Sequence, residues 1–283
     1  GEARSTSMWL RSEGAHNRSR DSSQQLKTQA NRYVIQLGGD VARWQFDQQR
    51  LRMGVMAGYG NSRSSTVAQV SGYNSKGKVD GYNLGLYATW YANAIDNSGG
   101  YLDGWVQYSW FDNTVSGQGL QSEQYDADGI SAALESGYRF KLRDNPAQTV
   151  SWYLQPQAQV VWMNVEADDH REANGTWVRG EGEGNLQTRV GLKLFAQRSH
   201  AHEQAMAFQP FIEANWVHNS KDFASNLDGV VISQRGAANM GEVKLGMTGK
   251  LNGQLSLWGN VAQQIGNHGY SDSAATLGVR YQF

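Results

Sequence analysis

The chain has 283 residues, a net charge of -1 with its basic and acidic residues dispersed, and no cysteine, which excludes disulfides, thiolate catalysis and Cys-ligated zinc and leaves no electrostatic footprint for nucleic acid. Ten Trp, 13 Tyr, 33 Gly and only 3 Pro suit an environment with a wet side and an apolar side, such as a membrane interface. No run approaches the ~18 consecutive apolar residues of a spanning helix, yet a barrel strand needs only about 9–11 residues with alternate ones apolar, so a helical membrane protein is excluded and a barrel is not.

Gly1–Leu10 holds no apolar run of the signal-peptide kind, so an exported chain of this sequence would be a mature form or a C-terminal fragment. A first strand is expected around Met8–Glu13. From there the period-2 pattern of strands repeats. Tyr33, Ile35, Leu37, Gly39 and Val41 oppose Gln36, Gly38, Asp40 and Ala42; Leu51, Met53, Val55, Ala57 and Tyr59 oppose Arg50, Arg52, Gly54 and Gly58. Tyr82–Trp90 alternates with Asn83, Gly85, Tyr87 and Thr89, and Leu102, Val106, Tyr108 and Trp110 with Asp103, Gln107 and Ser109. The series continues through Ile130–Phe140, Trp152–Trp162, Thr188–Ala196, Phe208–Trp216, Val243–Met247, Leu255–Val261 and Leu277–Phe283. With the first strand, the pattern predicts an all-β, 12-stranded antiparallel transmembrane barrel formed by residues 1–283 as one domain.

Connections alternate in length. Asp47–Gln49, Asn93–Gly99, Arg143–Gln148, Ser199–Ala205 and Leu251–Gly253 are short; Asn61–Lys78, Asn113–Tyr125, Asp168–Gly184 and Asn219–Gly236 are long and polar. Short turns belong on the periplasmic side of such barrels, which puts both termini there. Trp44, Tyr59, Tyr82, Trp90, Trp110, Trp152, Trp162, Trp216 and Tyr281 stand near the ends of the apolar parity, as two interfacial girdles would require. The other parity carries Arg50, Arg52, Glu135, Arg139, Arg189, Lys193, Glu213, Lys244 and Arg280 among Gln, Ser, Asn and Gly, which predicts a wet lumen whose charges pair across it. Twelve strands give a backbone radius of roughly 12 Å and a lumen on the order of 10–14 Å. That admits one helix of about 10–12 Å diameter.

The C-terminus reads Thr276, Gly278, Tyr281 and Phe283 in a polar-x-Gly-x-x-aromatic-x-aromatic spacing, which resembles the closing strand of other outer-membrane barrels. The resemblance implies recognition by the barrel-assembly insertase through strand pairing. Over essentially its whole length the chain resembles the translocator domain of type V autotransporters, in the AIDA adhesin, antigen-43 and IcsA-like group. The resemblance is carried by Met8-Trp9-Leu10-Arg11, by Ile35–Asp40, by Gly81–Tyr87, by Ser136–Arg139 and by Leu277–Phe283. It implies a monomeric barrel in outer-membrane lipid that exports and anchors an N-terminal, adhesin-like passenger, with a linker helix in the lumen. A helix crossing about 25 Å needs roughly 17 residues, so that helix is expected to lie outside this chain.

Two other functions stay open. A diffusion channel would use an unplugged lumen, and an omptin-like protease would place Asp168, Asp169, His170 and Glu172 at the outer rim. No catalytic set, metal site or cofactor is expected: His200 and His202 flank one residue of a turn, a weak metal signal, and no phosphate-binding Gly-Lys-Ser/Thr loop occurs.

Overall fold

The computed structural model describes residues 7–20, 26–68, 71–95, 98–119, 121–144, 150–167, 170–171, 177–179, 185–198, 207–220, 224–227, 230–233, 238–267 and 269–283. Among the described residues sixteen strands run in chain order: β1 (Ser7–Arg20), β2 (Leu26–Phe46), β3 (Gln49–Ala68), β4 (Asn74–Tyr91), β5 (Gly99–Gly117), β6 (Glu123–Asp144), β7 (Val150–Ala167), β8 (His170–Arg171), β9 (Trp177–Arg179), β10 (Asn185–Arg198), β11 (Ala207–Asn219), β12 (Ala224–Leu227), β13 (Val230–Ser233), β14 (Asn239–Lys250), β15 (Leu255–Gly266) and β16 (Ser271–Gln282). Twelve of them close into one barrel in the order β1-β16-β15-β14-β11-β10-β7-β6-β5-β4-β3-β2, and β13-β12-β9-β8 form a separate four-stranded sheet. Closure is made by β1 against β16, antiparallel from Ser7 opposite Gln282 to Arg18 opposite Ser271. Lipid offers no partner for a free strand edge, so a sheet in that solvent has to close.

The distribution of side chains is inverted relative to a water-soluble sandwich. Leu84, Leu86, Val261 and Leu277 are 56%, 63%, 55% and 66% exposed, whereas Asp40, Glu213 and Glu242 are 2%, 8% and 4% exposed. Apolar residues therefore form the outer belt and polar ones the interior, as in barrels surrounded by lipid.

The strands outrun the apolar pattern. Asn61–Lys78 and Asn113–Tyr125, expected as loops, are continuations of the β3–β4 and β5–β6 hairpins, which turn at Gly72 (φ 70°) and Gly119 (φ 76°). The reason is visible in the pairing of Ser62 with Val79, Ser64 with Gly77 and Thr66 with Ser75. Both faces of these ribbons are mostly polar, with only isolated apolar residues such as Val67, Val79 and Val115, so the hydrophobic period vanishes while the hydrogen-bond ladder continues. Parts of the other two long connections form the strands of the four-stranded sheet.

One expected parity is broken by a bulge. Between Asp40 and Ala42 the β2–β3 register shifts, with Asp40 opposite Gly54 and Ala42 opposite Met53. Val41, 54% exposed, is the extra residue. It lets Arg43 turn inward opposite Arg52 and Trp44 outward opposite Leu51, although Trp44 has the opposite sequence parity to Val41.

Candidate functional site

The interior wall is the candidate site. All nine charged residues expected there lie on the inward-facing positions of their strands, but they form several local groups rather than one cluster. The pairs that hold them also run differently from the expectation. Lys244 Nζ stands 3.9 Å from Glu213 Oε2 on the adjacent strand, and Arg189 Nε 3.4 Å from Glu242 Oε1 two strands away. Arg52 and Arg280 reach Asp40 at 3.9 and 3.3 Å. These pairs follow the wall and do not cross the lumen, because side chains at one level of adjacent strands are about 4.5–5.5 Å apart at Cβ, far less than the bore.

At the end of the barrel that holds both termini, Asp40 gathers the seam. It accepts hydrogen bonds from Ser7 Oγ at 2.8 Å, Tyr87 Oη at 2.5 Å and Arg280 Nη1 at 3.3 Å, and Trp9 Nε1 donates to Tyr87 Oη at 3.0 Å. One carboxylate thus ties together β1, β2, β4 and β16 across the closure. Nearby, the Tyr91 ring faces two guanidiniums, with Arg139 Cζ at 4.8 Å and Arg52 Cζ at 5.8 Å from its centroid, a cation–π arrangement. Arg50, on the same strand as Arg52, has a buried Nε without a hydrogen-bond partner among the described residues.

A second chain of polar contacts circles the middle of the wall. Tyr101 Oη donates to Glu135 Oε2 at 3.1 Å and accepts from Gln155 Nε2 at 3.1 Å; Gln155 donates to Gln157 Oε1 at 2.7 Å, and Gln157 to Asn215 Oδ1 at 3.2 Å. Asn215 Nδ2 donates to Glu213 Oε2 at 2.7 Å and Glu242 Oε1 at 3.0 Å, and Gln264 Nε2 to Glu242 Oε2 at 2.6 Å. Lys193 Nζ lies 4.4 Å from the centroid of Phe211. Networks of this kind fix side chains that would otherwise be free in the bore. Space remains between them, in a cavity of about 380 Å³ beside Tyr91, Glu135, Arg139 and Lys193 and another of about 630 Å³ beside Arg11, Gln36, Gly60, Trp105 and Arg189.

Sequence reasoning missed the aromatic part of this wall. Trp9, Tyr87, Tyr91, Tyr101, Trp105, Phe195, Phe211 and Trp258 point inward. Several cover glycines on neighbouring strands: a Cβ added at Gly54 would lie 2.2 Å from Tyr87 Cζ, at Gly246 2.3 Å from Phe211, at Gly278 2.1 Å from Trp258 and at Gly38 2.3 Å from Trp9. The available signal was their parity, since Tyr87 and Gly85 share the polar side of β4. Asp40, Gln155, Gln157, Asn215 and Glu242 were also on that parity, without any cue to single them out.

On the outside, Tyr82, Trp110, Trp152, Trp162 and Trp216 are 59%, 45%, 40%, 39% and 51% exposed, while Trp44, Tyr59 and Trp90 are half-buried. Trp152 and Trp162, ten residues apart on β7, are separated by about 33 Å of strand at ~3.3 Å per residue, or about 25 Å of height at a tilt near 40°. Of the closing residues, Thr276 and Gly278 face inward, and Tyr281 and Phe283 face outward with ring centroids 5.3 Å apart. The candidate protease residues Asp168, Asp169 and Glu172 and the histidines His200 and His202 lie outside the described residues; His170 is described only as part of β8.

Comparison with known proteins agrees with this architecture. A family model described as the autotransporter beta-domain matches residues 8–262. The protein YuaQ of Escherichia coli strain K12 is 51% identical over 289 residues, covering 100% of this chain and 21% of YuaQ. The autotransporter adhesin AIDA-I of Escherichia coli is 34% identical over 99% of the chain and 22% of its own length. The chain thus spans about a fifth of the length of these relatives. The crystal structure of the AIDA-I transport unit superposes with a TM-score of 0.90 at 35% identity, covering 98% of this chain and 90% of that one.

Proposed function

The chain belongs to the autotransporter β-domain family, and from that premise we propose that it is the outer-membrane translocator of a longer protein, exporting an N-terminal passenger and then anchoring it at the cell surface. The reading treats 1–283 as one barrel that works as a monomer, with its short turns and both termini on the periplasmic side. The observation that carries it is the hollow polar interior, lined by Asp40, Glu135, Glu213, Glu242 and the arginines, inside a belt of exposed Leu and Val. A bore of about 10–14 Å takes a helix or an extended chain and excludes a folded domain. The barrel is then a conduit and an anchor without catalytic residues of its own, and the passenger, by analogy with the adhesin relative, is adhesin-like. The polar networks hold the wall rigid while a linker helix occupies the remaining cavities.

Tyr281 on β16 and Phe283 just beyond its end present an outward aromatic pair, and β16 pairs with β1 in the closed barrel. Before closure the same edge is free to pair with the barrel-assembly insertase. The test is export from intact cells: with a linker, a signal peptide and an epitope tag joined ahead of the barrel, external protease should remove the tag. Deleting Tyr281–Phe283 should abolish both assembly and exposure. A barrel that assembles while its tag stays inside would overturn the export reading.

A further inference from the structure

The lipid-facing surface of β14, β15, β16 and β1 is indented. Two neighbouring rows of outward residues cross it: Gly14, Ala275, Val261 and Leu245 in one, and His16, Ser273, Gln263 and Val243 in the next. Small side chains on β1 and β16 between Val and Leu on β14 and β15 leave a groove of about 580 Å³. Among the described residues nothing lies within 4 Å of a Cβ added at Gly14. Such a volume falls within the ~300–1,000 Å³ range of ligand clefts.

The groove is apolar along one row and polar along the other. His16 Nδ1 meets Asn31 Oδ1 at 2.8 Å, Ser273 bonds Gln263, and Gln263 Nε2 donates to Ser271 Oγ at 2.9 Å. Immediately beyond the polar row the same outer face becomes basic. Arg18 follows His16 on β1, then Arg20, which stands directly opposite Lys27 on β2. On the adjoining hairpin Arg63 stands directly opposite Lys78, whose Nζ lies 3.6 Å from Asp80 Oδ2, so among the described residues the uncompensated like-charge pair on this face is Arg20 and Lys27. All five side chains are exposed. Like charges directly opposed across strands are destabilising, and a bound anion reverses the sign of that interaction.

We infer that this groove and the basic side chains above it form a binding site for a phosphorylated, multiply acylated glycolipid, its acyl chain against Gly14, Ala275 and Val261 and its phosphates at Arg18, Arg20 and Lys27. The inference rests on the outer-membrane reading above, because that orientation turns the basic end toward the outer leaflet. A juxtamembrane basic residue is worth about a fivefold gain in anionic-lipid affinity.

The experiment is native mass spectrometry of the purified barrel in detergent, titrated with lipid A, with the same lipid after removal of its phosphates, and with inorganic phosphate. The wild-type chain should retain lipid A and lose it on dephosphorylation, and inorganic phosphate should not compete at millimolar concentration. The triple variant R18Q/R20Q/K27Q should bind about a hundredfold more weakly. Gly14→Phe, which fills the groove without touching a charge, should also displace the lipid while the barrel remains folded by its gel mobility. Equal binding by wild type and both variants overturns the site. So does loss in the charge variant alone, which would mean a diffuse electrostatic surface, or a wild-type dimer that Gly14→Phe converts to monomer, which would mean a second copy fills the groove. Failure of passenger export with lipid binding intact would count against the translocator reading and leave this site standing.

Discussion

Individual side chains matter here through what faces them on the next strand. Gly54 has the Tyr87 ring over it and the Gly39 carbonyl beside it, so a Cβ would meet Tyr87 Cζ at 2.2 Å and the backbone oxygen at 2.4 Å. The ring could swing away only by giving up its bond to Asp40. Gly54→Ala should therefore destabilise the barrel by about 1–3 kcal/mol, seen as a lower temperature for loss of the compact form on gels. Gly14→Ala, at a position where a methyl meets nothing within 4 Å, should stay within about 0.5 kcal/mol of wild type. The contrast separates glycines needed for close approach from glycines that merely leave space.

Strands add a constraint that single residues lack, because a shift of one position exchanges the lipid face for the lumen face. The bulge at Val41 is where β2 absorbs one extra residue, and the register is regular again by Arg43 opposite Arg52. Deleting Val41 should leave every later side chain of β2 on its present face, and the barrel should assemble. Deleting Leu84 from the unbulged middle of β4 would turn one half of that strand inside out, placing Asn83 or Leu86 on the wrong face. Assembly of that variant, followed by protease resistance in outer membranes, should be lost. The apolar alternation located these strands well but ended them too early, since it records where lipid begins and ends and says nothing of a ladder that continues into water.

For the molecule as a whole, the relevant dimension is the bore. Gly60 lines the 630 Å³ cavity, and a Cβ there would have its nearest neighbours, the Tyr33 carbonyl oxygen and Val34 Cγ2, at 3.4 Å. Gly60→Trp should place an indole in the lumen at modest cost to folding and reduce surface exposure of a tagged passenger by about an order of magnitude, because the free width is close to that of one helix. Unchanged exposure in a folded variant would argue for a route alongside the barrel. The all-β class, the twelve strands of the barrel and the inward and outward parity of each were legible in the sequence, because inward and outward alternation is a property of each strand alone. The grouping around Asp40, the Tyr101–Gln264 chain, the aromatic-covered glycines and the groove at β1 and β16 were not. They depend on register around a closed sheet, which sets residues as distant as Ser7, Asp40 and Arg280 beside one another, and no local period in the chain encodes that pairing.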